Sequence, residues 1–335
     1  MSIILELESS DGTSALPPDA VLQSRYRIIR QMRKGAMGAV YEASDQRLCT
    51  TVALKETLCA DDRLRKQLER EACLLAHLDH PALPRATDFF IEGHRAVLVM
   101  QFIQGVDLAE IIVRQPGPLP LERVLDWADQ LLDVVIYLHA EERQIVHRDI
   151  KPQNVKLTAS GQIVLLDFGL AKAQLIDAFG DLHLSSTFGY TRQYAPLEQI
   201  QDHGASPQTD IYSLGATLYH LLTGRKPPDA LERAAAIAAS KPDPLTPANE
   251  MNSAVDPGIS EILNRAMTQH PDDRYRSASE FRETLRRARR TDQVAVPSQN
   301  RGVADDELAF TMIRPTTNLK TPALQEDRPC QAHPV

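Results

Sequence analysis

The sequence predicts an α+β fold in two lobes, a small β-rich N-lobe with one main helix followed by a larger helical C-lobe. Three observations carry this. From Arg25 to Phe102 the chain gives short strand-like runs around a single helical stretch. After Gly105 the apolar residues fall at helical spacing instead. The change occurs near Gln101–Gly105, where the two halves must join.

In the first half, Tyr26-Arg27-Ile28-Ile29, Ala39-Val40-Tyr41-Glu42-Ala43 and Thr51-Val52-Ala53-Leu54-Lys55 read as strands. A helix is predicted from about Asp61 to Leu78, with Leu64, Leu68, Cys73, Leu75 and Leu78 as its apolar positions. Pro81 and Pro84 close it. Ala86–Ile91 and Ala96–Phe102, split by Glu92-Gly93-His94, predict two more strands. In the second half Leu121–His139 sets Leu125, Ala128, Leu132, Val135 and Leu138 on one stripe. Strands are predicted at Val155–Leu157 and Ile163–Leu166, and helices at Thr209–Thr223, Ile259–Thr268 and Ala278–Arg290. Residues 1–20, polar with Pro17-Pro18, read as a flexible leader; residues 291–335 hold no period and read as a disordered tail. The folded unit is expected at 21–290, with the N-lobe over about 21–103 and the C-lobe over about 104–290.

Composition bounds the partners. With 43% hydrophobic and 24% charged residues, a chain of 335 residues can bury a core without disulfides. The four cysteines form no CxxC pair and read as reduced thiols of a cytoplasmic protein, Cys73 among them in the core. A net charge of −8 argues against a nucleic-acid binder, which needs a basic face. The one basic cluster, Arg286-Arg287-Ala288-Arg289-Arg290, ends a predicted helix and complements its dipole. No apolar run reaches the ~18 residues of a membrane span, and the first residues lack the order of a signal peptide. A cytoplasmic location without membrane contact is expected.

His147-Arg148-Asp149-Ile150-Lys151-Pro152-Gln153-Asn154 lies between the long helix and a strand–turn–strand. Phosphoryl transfer to an alcohol needs a carboxylate that orients the hydroxyl and takes its proton, and Asp149 is suited to that. It also needs a metal-holding oxygen on the same rigid loop, which Asn154 can supply. Lys151 lies between them, near the transferred group. These residues match H-R-D-x-K-x-x-N, so the loop resembles that of eukaryotic-type protein kinases, and the lysine marks the serine/threonine form. A protein-kinase fold acting on ATP, Mg2+ and protein Ser/Thr hydroxyls is what the resemblance implies.

Val164-Leu165-Leu166-Asp167-Phe168-Gly169 is an apolar strand delivering a carboxylate into a glycine turn, thirteen positions after Asn154. Within the family resemblance Asp167 is the second magnesium ligand beside Asn154. Ser185, Ser186 and Thr187 follow, and Arg148 beside Asp149 suggests an activation segment ordered by phosphorylation, Thr187 first. The family's Ala-Pro-Glu appears here as Pro196-Leu197-Glu198; by analogy Glu198 pairs with Arg274. Asp210 matches the start of the central helix and would brace the catalytic-loop backbone.

In the small lobe Val52-Ala53-Leu54-Lys55 resembles the family's V-A-I-K, which makes Lys55 the α/β-phosphate ligand and Ala53 part of the nucleotide pocket. Glu71 is the carboxylate expected to position Lys55, with Glu69 as its rival. The glycine-rich pattern G-x-G-x-x-G-x-V reads Arg33-Lys34-Gly35-Ala36-Met37-Gly38-Ala39-Val40, so Gly35, Gly38 and Val40 are kept and the first glycine is Arg33. Arg33 either compensates electrostatically or faces solvent, and weak ATP binding for the family is expected. Met100 borders the adenine pocket by the same alignment, and Gln101 to Ile103 offer backbone groups. The wording Gly35-Ala36-Met37-Gly38-Ala39-Val40-Tyr41-Glu42-Ala43 resembles the bacterial branch most closely, and the resemblance covers about residues 25–290.

The competing reading is a pseudokinase, a nucleotide-binding scaffold or sensor, favoured by Arg33 and by Pro196-Leu197-Glu198. The complete set Lys55, Glu71, Asp149, Asn154 and Asp167 argues against it. A P-loop switch is excluded because no G-x-x-x-x-G-K-[ST] occurs. Threonines in Phe310–Thr317 suggest autophosphorylation sites for a phosphothreonine-binding partner, against the alternative of an inert spacer.

Overall fold

The computed structural model of the chain describes residues 15–35, 38–59, 62–167, 192–201 and 203–295. The N-lobe is a six-stranded antiparallel sheet in the order β1-β2-β3-β4-β6-β5. Its strands are β1 (Val21–Leu22), β2 (Tyr26–Gly35), β3 (Gly38–Asp45), β4 (Thr50–Leu58), β5 (Ala86–Glu92) and β6 (Arg95–Gln101). Strict alternation builds its core: Tyr41, Ala43, Val52, Leu54, Val97 and Val99 all turn to one face and are buried. Phe90 and Tyr26 stack there at 5.7 Å. Leu16 and Ala20, in the stretch read as a loose leader, pack against this core, and the Leu16 N–H donates to the Tyr41 hydroxyl at 3.1 Å.

The helix α1 (Asp62–Ala76) buries Leu64, Leu68, Glu71, Ala72 and Leu75. That spacing of three or four keeps one face turned to the sheet. Cys73 falls off the stripe and is exposed, correcting the expectation that it lies in the core.

Val106–Asp107 (β7) opens the C-lobe, after Gly105. A side chain at Gly105 would bring its Cβ to 2.3 Å from the Leu157 carbonyl oxygen, and φ is +152°, so the chain passes there only as glycine. Strand β7 pairs with β8 (Val155–Leu157), which pairs with β9 (Ile163–Leu165). Two helices lie between β7 and β8 in sequence, α2 (Leu108–Arg114) and α3 (Leu121–Ala140). After the undescribed stretch come α4 (Leu197–Ile200), α5 (Pro207–Thr223), α6 (Ala230–Ala238), α7 (Ala248–Met251), α8 (Pro257–Ala266) and α9 (Ala278–Ala295). The helices α2 and α6 were not legible in the apolar pattern. Each is short, and its cap signals the start instead: Asp107 and Asp229 accept the N–H of Glu110 and Glu232.

The helix α5 is the centre of this lobe, with every residue from Thr209 to Thr223 buried. Pro207 at its first turn and Gly224 in the left-handed conformation at its end set its limits. The arginines of α9 do more than solvate a helix end. Arg282 and Arg286 both pair with Asp129, and Arg289 with Glu122 and Asp126, so the basic cluster is an ion-pair seam against α3. Those two guanidiniums hold the Asp129 carboxyl well below the usual carboxylate range. Among the described residues no helix is long and apolar enough to cross a membrane.

Candidate active site

The alternation that buries Val52 and Leu54 sends Ala53 and Lys55 to the opposite face of the sheet. Register carries that face across three strands. Val40 lies opposite Lys55, Leu98 flanks Lys55 on the other side, and Met100 lies opposite Ala53. Val40, Ala53, Lys55, Leu98 and Met100 therefore share one surface. A cavity opens there, lined by Leu98, Met100, Lys55 and, from the other lobe, Asp167.

Lys55 Nζ lies 3.3 Å from Asp167 Oδ1. Glu71, 8% exposed on the buried face of α1, lines a second small cavity together with Lys55, while Glu69 is exposed. Burial by itself would lower the Lys55 ammonium. The carboxylates of Asp167, Glu71 and Asp149 outweigh it and raise its pKa, so the cation is kept. The sequence signal that selects Glu71 over Glu69 is its place in the apolar stripe, a carboxylate where only apolar residues would otherwise fit.

On the facing side, the catalytic loop is held from beneath by Asp210 on α5. Asp210 accepts the backbone N–H groups of His147 and Arg148, each at 2.8 Å, and meets His139 Nε2 at 2.8 Å. Arg148 has φ +67°, a left-handed backbone that a long side chain rarely adopts, and Asp210 holds it there. The His147 ring is buried, which keeps it neutral by lowering its pKa despite Asp210 and Asp149 nearby. It lies 3.1 Å from the Leu166 carbonyl through Nε2 and accepts the Asp149 N–H through Nδ1 at 3.3 Å. The imidazole thus ties the catalytic loop to the strand end that carries Asp167, itself at φ +57°.

Asp149 is held on both oxygens. Lys151 Nζ donates to Oδ1 at 2.8 Å, and Asn154 Nδ2 donates to Oδ2 at 2.9 Å. With its amide nitrogen committed to Asp149, Asn154 turns Oδ1 outward. That oxygen accepts from Arg33 Nη1 at 3.1 Å, and Asp167 Oδ2 lies 3.8 Å from the same nitrogen. A carboxylate oxygen and an amide oxygen converging on one cation are a donor set suited to a hard metal ion, which completes its shell with phosphate and water. No group of three or more His, Cys, Asp or Glu that could hold a metal by itself occurs among the described residues.

The glycine hairpin joins β2 and β3, with Gly35 opposite Gly38. A Cβ at Gly38 would lie 1.9 Å from the Glu56 carbonyl oxygen, so this glycine is needed for the close approach of β3 to β4 whatever is bound. A Cβ at Gly35 would meet the Gly38 carbonyl oxygen at 3.7 Å, an ordinary contact. Of the residues aligned with the adenine edge, Met100 is half-buried on the cleft face, and Ile103 and Gln101 follow where the lobes join. The Ile103 carbonyl accepts from Lys156 Nζ at 2.7 Å, and the Gln101 N–H donates to the Arg85 carbonyl at 2.8 Å. Lys156, buried on β8, was missed by sequence reasoning; a lysine within a three-residue buried strand is its only signal. Phe168, Gly169, Ser185, Ser186 and Thr187 lie outside the described residues, as does Phe310–Thr317.

A sheet lobe presenting a lysine and a helical lobe presenting acidic and amide groups, across one cleft, is the build of a phosphotransferase that works on a nucleotide between its lobes. Comparison with known proteins is specific about which kind: residues 26–284 match the protein kinase domain, and the chain belongs to that family. It is 34% identical over 289 residues to the serine/threonine-protein kinase PknA of Mycobacterium tuberculosis, covering 83% of this chain and 64% of that protein. It is 33% identical over 271 residues to the serine/threonine-protein kinase PrkC of Bacillus subtilis, covering 80% of this chain and 41% of that one. The chain thus spans less than two thirds of either relative's length. Among solved structures, PpkA-294 in its apo form superposes with a TM-score of 0.67 at 27% identity, covering 81% of this chain and 99% of that one.

Proposed function

We propose that the chain is a serine/threonine protein kinase that transfers the γ-phosphoryl group of Mg-ATP to protein hydroxyls, those of its own activation segment included. The observation that carries this reading is the convergence of Lys55, Asp149, Lys151, Asn154 and Asp167 on one cleft. The substrate hydroxyl oxygen bonds to the γ-phosphorus as the bond to the β–γ bridging oxygen breaks, and ADP leaves. Asp149 orients that hydroxyl and accepts its proton, while Lys151 and Asn154 fix the carboxylate's direction. Lys55 holds the α and β phosphates as a retained ammonium. Magnesium, on Asn154 and Asp167, would neutralise the phosphate oxygens where charge develops. A scaffold needs neither a fixed general base nor two metal-facing oxygens, which weighs against the pseudokinase reading.

Arg148 supports self-phosphorylation. Its Nε is buried with no hydrogen-bond partner among the described residues, a donor suited to a phosphate. Cys49, Cys59 and Cys73 are free thiols, in keeping with a reducing cytoplasm. Threonines in Phe310–Thr317, once phosphorylated, would present a ligand to a phosphothreonine-binding partner. The test is incubation of purified protein with Mg-ATP and a generic basic protein, followed by site mapping. Phosphoserine or phosphothreonine on the added protein and on Ser185, Ser186 or Thr187 is expected; bare hydroxyls on both would contradict the reading.

A further inference from the structure

Where the glycine-rich pattern has its first glycine, this chain carries Arg33, and the structure gives its side chain a destination. A register shift lies between Gln31 and Arg33 in the β2–β3 pairing, and Arg33 sits opposite Val40, in the cross-strand row that continues to Lys55. Irregularities of this kind re-aim side chains. Here the guanidinium reaches into the cleft.

Its contacts are all on the C-lobe. Nη1 donates to Asn154 Oδ1 at 3.1 Å and lies 3.8 Å from Asp167 Oδ2. Nη2 donates to Asp107 Oδ2 at 3.1 Å and to the Gln153 carbonyl. The side chain is 35% exposed, so it neither faces open solvent nor belongs to a core. Two of these four oxygens, Asn154 Oδ1 and Asp167 Oδ2, are the ones assigned above to the metal. A planar fork with several donors can take oxygens from the N-cap of α2, the catalytic loop and β9's end at once.

We infer that Arg33 is a latch on the magnesium site: its guanidinium and the divalent cation compete for Asn154 Oδ1 and Asp167 Oδ2, so metal–nucleotide binding must first displace the arginine. A demand for higher magnesium is the functional consequence. This inference rests on the kinase reading and concerns the regulation of the same site.

The test is binding of a fluorescent N-methylanthraniloyl-ADP to the full chain, titrated with magnesium chloride. Arg33→Met keeps the length and removes the charge. It is expected to lower the magnesium concentration at half-maximal binding by about tenfold, the scale of one charge-assisted hydrogen bond. Asp107→Asn, which keeps the helix cap but weakens the pairing with Arg33, should shift the midpoint in the same direction by less. In the double variant it should add nothing to Arg33→Met, because its effect acts through Arg33. An unchanged or higher magnesium requirement in Arg33→Met overturns the latch and leaves the kinase reading intact, as does an Asp107→Asn effect that persists without Arg33. Absence of magnesium-dependent nucleotide binding in every protein, wild type included, overturns both.

Discussion

Arg274 and Glu198, 76 residues apart in sequence, form a bidentate ion pair, Nη1 to Oε1 at 2.7 Å and Nη2 to Oε2 at 3.0 Å. Arg274 is 1% exposed, and carbonyls of Thr268, Gln208 and Gln269 take its other donor positions. The pair fastens the start of α4, which follows the predicted activation segment in sequence, to the connection between α8 and α9. It is a structural joint rather than part of the chemistry.

Removing one partner of a buried pair leaves the other charged and desolvated. Arg274→Ala is expected to lower unfolding free energy by about 3–5 kcal/mol. Arg274→Lys keeps the charge without the fork and should fall between. Urea midpoints on the three proteins check this, and a loss below about 1 kcal/mol for Arg274→Ala would contradict a satisfied buried pair.

Asp210 acts on the catalytic loop at a distance from any reacting atom. Asp210→Asn keeps the volume but offers one carbonyl oxygen where two oxygens each accept a backbone N–H. One loop N–H loses its acceptor, and Asp149 shifts with it. Misplacement of this sort costs about 10²-fold in turnover. Steady-state kinetics should show the loss in kcat with ATP KM changed far less; an unaltered kcat would show that the loop holds itself.

His220 gives the fold a pH dependence. Its Nδ1 lies 2.6 Å from the Tyr194 hydroxyl, and burial pushes the imidazole from 6.5 down to about 4. The folded pKa is depressed, so the unfolded chain takes the proton first. This contribution is complete above pH 6.5 and is lost as the pH falls toward 4. At ~1.4 kcal/mol per pKa unit the loss is on the order of 3 kcal/mol. His220→Gln, which accepts from Tyr194 without titrating, should flatten the urea midpoint between those pH values. Equal slopes in the two proteins would contradict the assignment.

Strand–helix order and the loop around Asp149 were legible because both are local: alternation marks a strand, and fixed spacing marks a rigid loop. The sequence left two outcomes open for Arg33, since its direction depends on a register shift between two strands. The arginines of α9 read as a helix terminus because their acidic partners on α3 lie more than a hundred positions away. Gly38 matched a phosphate loop, yet its steric need comes from Glu56 on the next strand. Cys73 misled because an apolar letter near a stripe is not the same as one on it.

Phosphoryl transfer itself is tested by comparing wild type with Asp149→Asn for γ-32P incorporation into a generic protein substrate, under saturating Mg-ATP. Loss of the general base should reduce kcat by about 10²–10⁴-fold while nucleotide binding persists. Equal incorporation by both proteins would contradict the assignment of Asp149, and no incorporation by wild type would contradict the enzyme.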